Sequence, residues 1–367
     1  MDKPSIVIIG PVLPFRGGIA EHTTQLSRAL AQNNICRVIS FKRLYPQWLF
    51  PGESDQDADH KGHLEANTEY SIDTLNPLTW LVTARKIKSL RPDLVLVPWW
   101  TIFLGPLLVY IIWSLKRNDI QVVLMCHNVL DHEATNWKRW LTRVFLTQAS
   151  RFIVHSKAEA ARLKELRPAA RVLIHPHPIY DQYPKSRRVL QRRASLELLF
   201  YGFVRPYKGL DMLIEAMGML QNESVFLTIA GEFWDGEKEL RERIAELTLE
   251  EKVEIIPRYV SADETADLFT RADIVVLPYR SATGSGVIPI AYNYLTPVLA
   301  TKVGGLPDVV IEGETGWLSD ADPSALADAL RGLDKTKLGM TAPCIEKHCA
   351  KYSWTGFAHA LLSDEYL

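Results

Sequence analysis

Short apolar runs alternate with helical stretches along the whole chain, and this alternation constrains its fold more than any other feature. The runs are continuous, which is typical of parallel strands that are buried on both faces of a sheet. They form two series of similar length, which predict two doubly wound, Rossmann-like α/β domains rather than one large sheet. The first series is residues 5–9, 37–41, 94–97, 122–125, 152–154 and 172–174, and the second is residues 196–200, 225–230, 253–256, 274–277 and 298–300.

A polar stretch with prolines and basic residues, PIYDQYPKSRRVLQRRAS, separates the two series. We therefore predict a first domain at residues 1–178, a linker at 179–195 and a second domain at 196–345, followed by a C-terminal helical segment at 346–367. The chain has 367 residues, of which 47% are hydrophobic, and this is enough to form a core in each domain.

Charge and cysteine content argue against several classes of protein. The formal net charge of −1 provides no general attraction for a nucleic acid, so we expect no nucleic-acid partner. The four cysteines are scattered without the spacing of a common zinc site, which indicates free thiols in a reducing compartment. The apolar run that follows Met1 is too short for a secretory signal, and we expect a cytoplasmic protein.

The stretch 94–115 contains no charged residue and resembles a membrane span in composition. Pro98 and the pair Gly105-Pro106 are expected to divide it into a strand and a helix that begins near Pro106. A helix from there to Arg117 would be about 18 Å long, against a hydrocarbon core of about 30 Å, and could not cross a membrane. Burial within the domain is the favoured interpretation, and a helix that dips into a membrane is the alternative.

Two loops of the second domain are suited to binding phosphate. In the loop 281–286, glycines allow main-chain N–H groups to approach an anion, and a helix expected near Val287 adds the positive end of its dipole. The other loop follows the strand 196–200 and places Arg205 and Lys208 in a turn before a helix, an arrangement that suits a diphosphate. Two cations that are only solvated are the alternative for this turn taken alone. Both loops follow strands, and open α/β sheets bind ligands at the carboxyl ends of their strands. The predicted phosphate contacts are Arg205, Lys208, Thr283, Gly284, Ser285, Gly286 and Val287.

A glycine loop and a histidine are the main candidates in the first domain. Gly17 and Gly18 follow the first strand and allow close approach of a ligand, although a tight turn without a ligand is an equal alternative. The GxGxxG fingerprint of nicotinamide enzymes is absent there, which argues against a dehydrogenase. His127 follows the strand 122–125 and is the histidine best placed to contact a sugar or a leaving group. The alternative is a histidine that only donates a hydrogen bond to a loop carbonyl.

Along nearly its whole length the chain resembles the retaining GT-B glycosyltransferases of family four. The ordered blocks at 296–300, 304–307 and 313–316 are the most specific part of the resemblance. The other matching residues are the loop Gly17-Gly18 with His22, the strand-end His127, and the turn formed by Arg205, Lys208 and Gly209.

The resemblance implies a GT-B fold, in which two Rossmann-like domains face each other across a cleft. It implies transfer of a sugar, with retention, from a nucleoside-diphosphate sugar to a saccharide or lipid-linked acceptor, in polysaccharide or glycolipid biosynthesis. The second domain would bind the donor and the first the acceptor, without a bound metal or other cofactor. The implied catalytic residues are His127, Arg205 and Lys208; Gly17 and Gly18 are assigned to donor or phosphate binding, and His22 and Asn128 to the acceptor side.

The chain departs from the family at its paired acidic motif, whose two glutamates would fall on Ala282 and Ile290. The arginine that usually follows the glycine of the diphosphate turn is replaced by Phe203, and Arg205 lies two positions later. The hydroxyl groups of Ser281, Thr283 and Ser285 could take the place of the missing carboxylates, which would favour a different sugar or weaker binding. Two alternatives to a transferase stay open: a non-catalytic sugar-nucleotide-binding protein and a GT-B sugar-nucleotide epimerase.

One predicted helix of the first domain combines apolar and basic residues. Such a helix suits an anionic membrane and a lipid-linked acceptor, so peripheral contact with the inner face of the membrane is one interpretation. The favoured interpretation is that the apolar face packs on the sheet and the basic side is in water. The apolar residues are Trp137, Trp140, Leu141, Val144 and Phe145, and the basic residues are Lys138, Arg139 and Arg143.

Overall fold

The computed structural model describes residues 3–46, 55–56, 62, 64–130, 136–188 and 190–363. These residues divide into two compact units, Met1–Pro176 with Trp354–Leu367, and His177–Ser353. Each unit contains one parallel sheet with helices between its strands, which confirms the predicted α/β class.

The first unit contains a seven-stranded parallel sheet. Its strands are β1 (Ser5–Ile9), β2 (Ile35–Arg43), β3 (Thr68–Asp73), β4 (Leu94–Trp99), β5 (Val122–Cys126), β6 (Arg151–Val154) and β7 (Arg171–Ile174). They lie in the order β3-β2-β1-β4-β5-β6-β7. The helices between them are α1 (Gly18–Ala31), α2 (Pro77–Leu90), α3 (Gly105–Lys116), α4 (Asn136–Leu146) and α5 (Lys157–Leu166).

The second unit contains a six-stranded parallel sheet in the order β10-β9-β8-β11-β12-β13. Its strands are β8 (Leu196–Tyr201), β9 (Val225–Ala230), β10 (Val253–Ile256), β11 (Ile274–Leu277), β12 (Val298–Thr301) and β13 (Gly316–Ser319). Its helices are α6 (Leu210–Met219), α7 (Glu237–Glu246), α8 (Ala262–Arg271), α9 (Val287–Asn293), α10 (Pro323–Arg331) and α11 (Lys335–Lys351). The last helix, α12 (Trp354–Leu361), belongs to the first unit and packs on α1.

All eleven predicted strands are present, and the structure adds β3 and β13. Both additional strands lie at the edge of a sheet. Their residues are mostly half-buried, so their sequences, TEYSID and GWLS, lack the continuous apolar run that identified the others. Strands β7 and β10 lie at the opposite edges of the two sheets, but their sequences, RVLI and VEII, are mostly apolar and could therefore be predicted.

Pro98 lies inside β4, and the prediction that it ends this strand is wrong. The N–H of Val95 donates to Gln121 and the carbonyl of Trp99 accepts from His127, so odd-numbered residues of β4 are directed toward β5. The nitrogen of Pro98 is therefore directed toward β1, where the pairing has already ended at Leu96. A proline is tolerated there because no ladder hydrogen bond is lost.

The apolar helix predicted near Pro106 is α3, and most of its side chains lie in the core, which confirms its burial. Within the described ranges, we find no helix with the length and apolar character that crossing a membrane requires.

Helix α4 does not pack as the favoured interpretation expects. Phe145 is buried and stacks on Trp99, with 3.9 Å between their ring centroids. Trp140, however, is 64% exposed, and Leu141 and Val144 are exposed as well. The expectation that these three residues pack on the sheet is therefore wrong, because the buried side of the helix is formed by Thr142, Phe145 and Leu146 instead. The side chain of Trp137 lies outside the described residues.

Candidate functional site

The second unit brings several loops to one edge of its sheet. Strands β9, β8, β11 and β12 are neighbours and run parallel, so their carboxyl ends lie at the same edge. The loops that leave them begin at Gly231, Gly202, Pro278 and Lys302, respectively. The predicted phosphate residues of this unit therefore lie on two adjacent loops, those after β8 and β11.

Arg280 joins these two loops. Its main-chain N–H donates to the carbonyl of Tyr207 at 2.7 Å, and its guanidinium donates to the carbonyl of Pro206 at 3.0 Å. The same guanidinium pairs with Asp211 at the start of α6 and holds the pKa of that carboxyl below its usual range. Arg280 was not among the residues predicted for this site. Its only signal was a cation placed soon after a buried strand.

Two glycines allow the loops to approach each other closely. Gly209 has a φ of +64°, and a Cβ atom there would overlap the carbonyl oxygen of Pro278. Gly304 has a φ of +54°, and a Cβ atom there would overlap the carbonyl oxygen of Ala282. Glycine is therefore required at both positions, for its backbone conformation and for the close contact.

Lys208 is buried at this edge, with 8% of its surface exposed. Its Nζ lies 3.3 Å from where a Cβ atom on Gly202 would be, and 5.7 Å from the ring centroid of Tyr279. Burial, and then the positive charge of Arg205, lower the pKa of Lys208 from 10.5 to about 8. Among the described residues, no carboxylate forms an ion pair with Lys208. A buried ammonium in such surroundings is stabilised by an anion that approaches it.

Arg205 is held by an aromatic side chain from the next loop. The central carbon of its guanidinium lies 3.5 Å from the ring centroid of Trp234, a cation–π contact. Phe203 packs against the same indole, with 5.3 Å between ring centroids. Phe203 stands where the family usually has an arginine. It helps to fix the indole of Trp234, on which the guanidinium of Arg205 stacks.

The loop before α9 presents hydroxyl and main-chain groups. Ser285 accepts the N–H of Val287 at 3.2 Å, and its hydroxyl lies 3.3 Å from that of Tyr279. Thr283 is buried in the same loop, next to Gly284. Gly286 has a helical backbone conformation, with φ −68° and ψ −9°, and a Cβ atom there would meet nothing within 4 Å. The main chain therefore does not require glycine at 286.

The β11–α9–β12 region lacks the acidic residues that the resemblance led us to look for. Ala282 and Ile290 are both buried. No aspartate or glutamate occurs between Asp273 and Asp308. This part of the site therefore presents hydroxyl and main-chain groups and no carboxylate.

The first unit brings together three histidines that are far apart in sequence. His22 lies on α1, His127 follows β5 and His155 follows β6, and all three are buried. The ring centroid of His127 lies 4.8 Å from that of His22 and 5.0 Å from that of His155. Trp354 and Phe357 of α12 pack on His22 at 4.9 and 5.8 Å.

Burial keeps the imidazoles of His127 and His155 neutral near pH 7. It holds the pKa of His127 well below its ordinary value and lowers that of His155 to about 4. Nδ1 of His155 lies 2.9 Å from the carbonyl oxygen of His175. Because a carbonyl can only accept, Nδ1 carries the proton and Nε2 is left as an acceptor. In the sequence His155 directly follows the strand 152–154, but nothing there groups it with His22 and His127.

The other predicted residues of this unit lie beside the cluster in sequence. Gly17, with a φ of +100°, precedes Gly18, the first residue of α1. Asn128 follows His127 directly. The buried carboxylate of Glu159 on α5 accepts the N–H of Val129 at 2.6 Å and so fixes the loop after β5.

Two family models together match residues 16–341 without a gap. The model described as Glycosyltransferase Family 4 matches residues 16–182, and the model described as Glycosyl transferases group 1 matches residues 183–341.

Among characterised proteins, the chain is similar to several bacterial D-inositol 3-phosphate glycosyltransferases. That of Corynebacterium glutamicum (strain R) is 31% identical over 222 residues, which cover 57% of this chain and 52% of that protein. That of Pseudarthrobacter chlorophenolicus is 34% identical over 201 residues, which cover 50% of this chain and 47% of that protein. The chain thus spans about half the length of these relatives.

Solved structures show the same fold at lower sequence identity. Sucrose-phosphate synthase from Thermosynechococcus elongatus has a TM-score of 0.73 at 20% identity, covering 96% of each chain. Anabaena HepE, solved in complex with UDP and glucose, has a TM-score of 0.75 at 17% identity, covering 97% of this chain and 98% of that one. Both likenesses extend over at least 96% of this chain and therefore include both sheets, which form a GT-B fold.

Proposed function

Because the chain belongs to the GT-B glycosyltransferases of family four and group 1, we propose that it transfers a sugar from a nucleoside-diphosphate sugar to a saccharide or lipid-linked acceptor. The observation that most supports this proposal is the buried ammonium of Lys208, at the carboxyl edge of the second sheet and without a carboxylate partner among the described residues. A diphosphate supplies the negative charge that this group requires.

The donor diphosphate is bound by the second unit. Lys208 and Arg205 provide two positive charges from one turn, and Ser285 and the main-chain N–H groups around it provide neutral donors. The contacts of Arg280 with Tyr207 hold the turn against the loop after β11. The site is therefore organised before the ligand arrives, which reduces the entropy lost on binding.

Catalysis follows from the charge that develops on the leaving group. As the bond from the sugar to the diphosphate breaks, negative charge appears on a phosphate oxygen, and Lys208 and Arg205 stabilise it. The acceptor hydroxyl attacks from the same face with retention, and its proton passes to that oxygen. Removing one such contact raises the barrier by about 2–4 kcal/mol, which corresponds to a rate about 30 to 1000 times lower. The two cations serve the purpose of a divalent metal, so a chelator should leave the rate unchanged.

The acceptor is bound by the first unit. The neutral imidazole of His127 can accept or donate hydrogen bonds to sugar hydroxyls near pH 7, and the ring of His22 lies 4.8 Å from it. Asn128 follows His127 directly in the sequence, and Glu159 fixes the loop that carries these two residues by accepting the N–H of Val129. A lipid-linked acceptor would place this unit at a membrane surface, in polysaccharide or glycolipid biosynthesis.

The test compares Lys208→Met with Lys238→Met, which removes an exposed lysine on α7. Calorimetry with UDP, GDP and ADP identifies the nucleotide, and incubation with the corresponding sugar nucleotides measures hydrolysis and transfer. We expect binding to one nucleotide, turnover of its sugar, and loss of both only in Lys208→Met. Normal turnover by Lys208→Met would refute the assignment.

The missing carboxylates at Ala282 and Ile290 favour one alternative, a protein that binds a sugar nucleotide without turning it over. Tight binding with neither hydrolysis nor transfer would establish that alternative. Conversion of the sugar nucleotide to its epimer, without an acceptor, would identify an epimerase instead.

A further inference from the structure

Three neighbouring helices of the first unit share one side of the sheet. Helices α2, α3 and α4 connect β3 to β4, β4 to β5 and β5 to β6, always in the same direction along the sheet. Because such crossovers are right-handed, the three helices cover the same face. Helix α3 packs against both α2 and α4, and Nζ of Lys116 reaches the carbonyl of Thr147 beyond α4 at 3.5 Å.

The outward sides of these helices, which we name the α2–α4 face, expose large apolar side chains. Leu78 and Val82, one turn apart on α2, are 70% and 59% exposed. Trp113 on α3 is 46% exposed, and Trp140 and Val144, one turn apart on α4, are 64% and 40% exposed. Exposed apolar side chains thus occur on each of three adjacent helices that cover one face of the sheet, and such side chains near one another mark an interaction surface.

The charges on the same three helices have one sign. None of the helices contains an aspartate or glutamate, although the chain as a whole has a net charge of −1. Lys86 pairs with Glu69 of β3, and the guanidinium of Arg117 lies 4.2 Å above the ring of Trp113. The basic residues of the helices are Arg85, Lys86, Lys88, Lys116, Lys138, Arg139 and Arg143.

Exposed tryptophan and aliphatic side chains bordered by cations match the interface of an anionic bilayer. The indole rings and aliphatic groups can enter the headgroup region while arginine and lysine contact lipid phosphates. A nucleic acid would match the charges but would leave Leu78, Val82 and Val144 without apolar partners. We propose that the α2–α4 face binds the surface of an anionic lipid bilayer, so that the protein associates with membranes peripherally.

This surface is independent of the proposed sugar transfer. Its residues lie on the helices that cover the sheet, whereas His127 and Asn128 follow the carboxyl end of β5. Vesicle binding is measured without donor or acceptor, so its failure would leave the transfer proposal standing. Failure of the transfer assay would likewise leave the membrane-binding proposal standing, because vesicle binding is measured separately.

The experiment is co-sedimentation with vesicles of phosphatidylcholine alone or mixed in equal parts with phosphatidylglycerol. We expect binding to the anionic vesicles and much weaker binding to the neutral ones. The anionic binding should fall between 0.1 M and 1 M salt, as the screening length decreases from about 10 Å to about 3 Å. Equal or negligible binding to both kinds of vesicle would overturn the proposal.

Two double variants test whether vesicle binding depends on the α2–α4 face. Arg139→Gln/Arg143→Gln should weaken anionic binding about 25-fold, since each cation near such a surface contributes about fivefold. Lys335→Gln/Lys347→Gln, which removes two exposed cations from α11, is the matched control and should have little effect. An equal loss in both double variants would mean that the attraction is not specific to the face.

The apolar contribution is tested by Trp113→Ala/Trp140→Ala, with Met340→Ala on α11, 67% exposed, as the control. The tryptophan variant should bind anionic vesicles at least about tenfold more weakly, and its melting temperature should stay close to that of the parent because both rings are exposed. Self-association that this variant abolishes, without vesicle binding by the parent, would identify a second copy of the chain as the occupant instead. Displacement from vesicles by an equimolar oligonucleotide would identify a nucleic acid.

Discussion

Replacing Lys208 by methionine should make the ligand-free protein more stable while removing its affinity for a nucleoside diphosphate. The folded protein lowers the pKa of this ammonium from 10.5 to about 8, mainly by burial. Each unit of this shift corresponds to about 1.4 kcal/mol, so keeping the charge costs up to about 3 kcal/mol near pH 7. Methionine has a similar length and carries no charge. We expect a melting temperature up to about 10 °C higher, since 1 kcal/mol corresponds to about 2–4 °C in a unit of this size.

The gain in stability expected for Lys208→Met depends on pH. Between about pH 8 and 10.5 the unfolded chain holds the proton of Lys208 more often than the folded protein does. The free energy of unfolding of the parent therefore rises with pH in this window, and the advantage of Lys208→Met is largest below pH 8 and disappears above 10.5.

The assay is thermal unfolding of Lys208→Met, Lys238→Met and the parent from pH 6 to about pH 10.5, the ordinary pKa of lysine, together with calorimetric titration of UDP, GDP and ADP. Lys238 is exposed, so its replacement should change neither stability nor affinity appreciably. If Lys208→Met melts no higher than the parent at pH 7, or still binds the diphosphate as the parent does, the ammonium is not a buried anion-binding group and our reasoning is refuted.

Two further changes test the main chain around the candidate sites. Gly304→Ala should destabilise the protein by more than Gly313→Ala, because both positions have a positive φ but only at Gly304 would a Cβ atom overlap the carbonyl of Ala282. Backbone strain alone, as at Gly313, corresponds to about 1–2 kcal/mol. Equal losses of stability in thermal unfolding of the two variants would contradict this prediction. Glu159→Ala should lose about 1–3 kcal/mol in urea unfolding because the buried N–H of Val129 loses its acceptor, and Glu159→Gln should lose less because the amide oxygen can still accept. If the two Glu159 variants are equally stable, this hydrogen bond does not hold the loop.

The sequence predicted the sheets well because the signal for a buried parallel strand is local. Each of the eleven runs contains its own apolar residues in succession, so no knowledge of the neighbouring strands is needed. No such run marks β3 or β13, and a proline is tolerated at position 98 only because pairing with β1 ends at Leu96.

The glycine loops and their order along the chain were also visible in the sequence, as was the loss of the acidic pair at Ala282 and Ile290. What could not be predicted is which groups surround each candidate. The contact of Arg280 with Asp211 spans 69 residues, and the stacking of Arg205 on Trp234 depends on the adjacency of β8 and β9.

The amino-acid sequence alone thus determined the strand pattern, the two doubly wound sheets and the edges at which their loops gather, since these depend on residues close together along the chain. Only the tertiary structure decided that Lys208 is buried, that three distant histidines meet, and that Trp140 is turned away from the sheet. Burial and electrostatic environment depend on atoms contributed by remote segments. A side chain's pKa, and the partner it can bind, are therefore fixed only after the chain has folded.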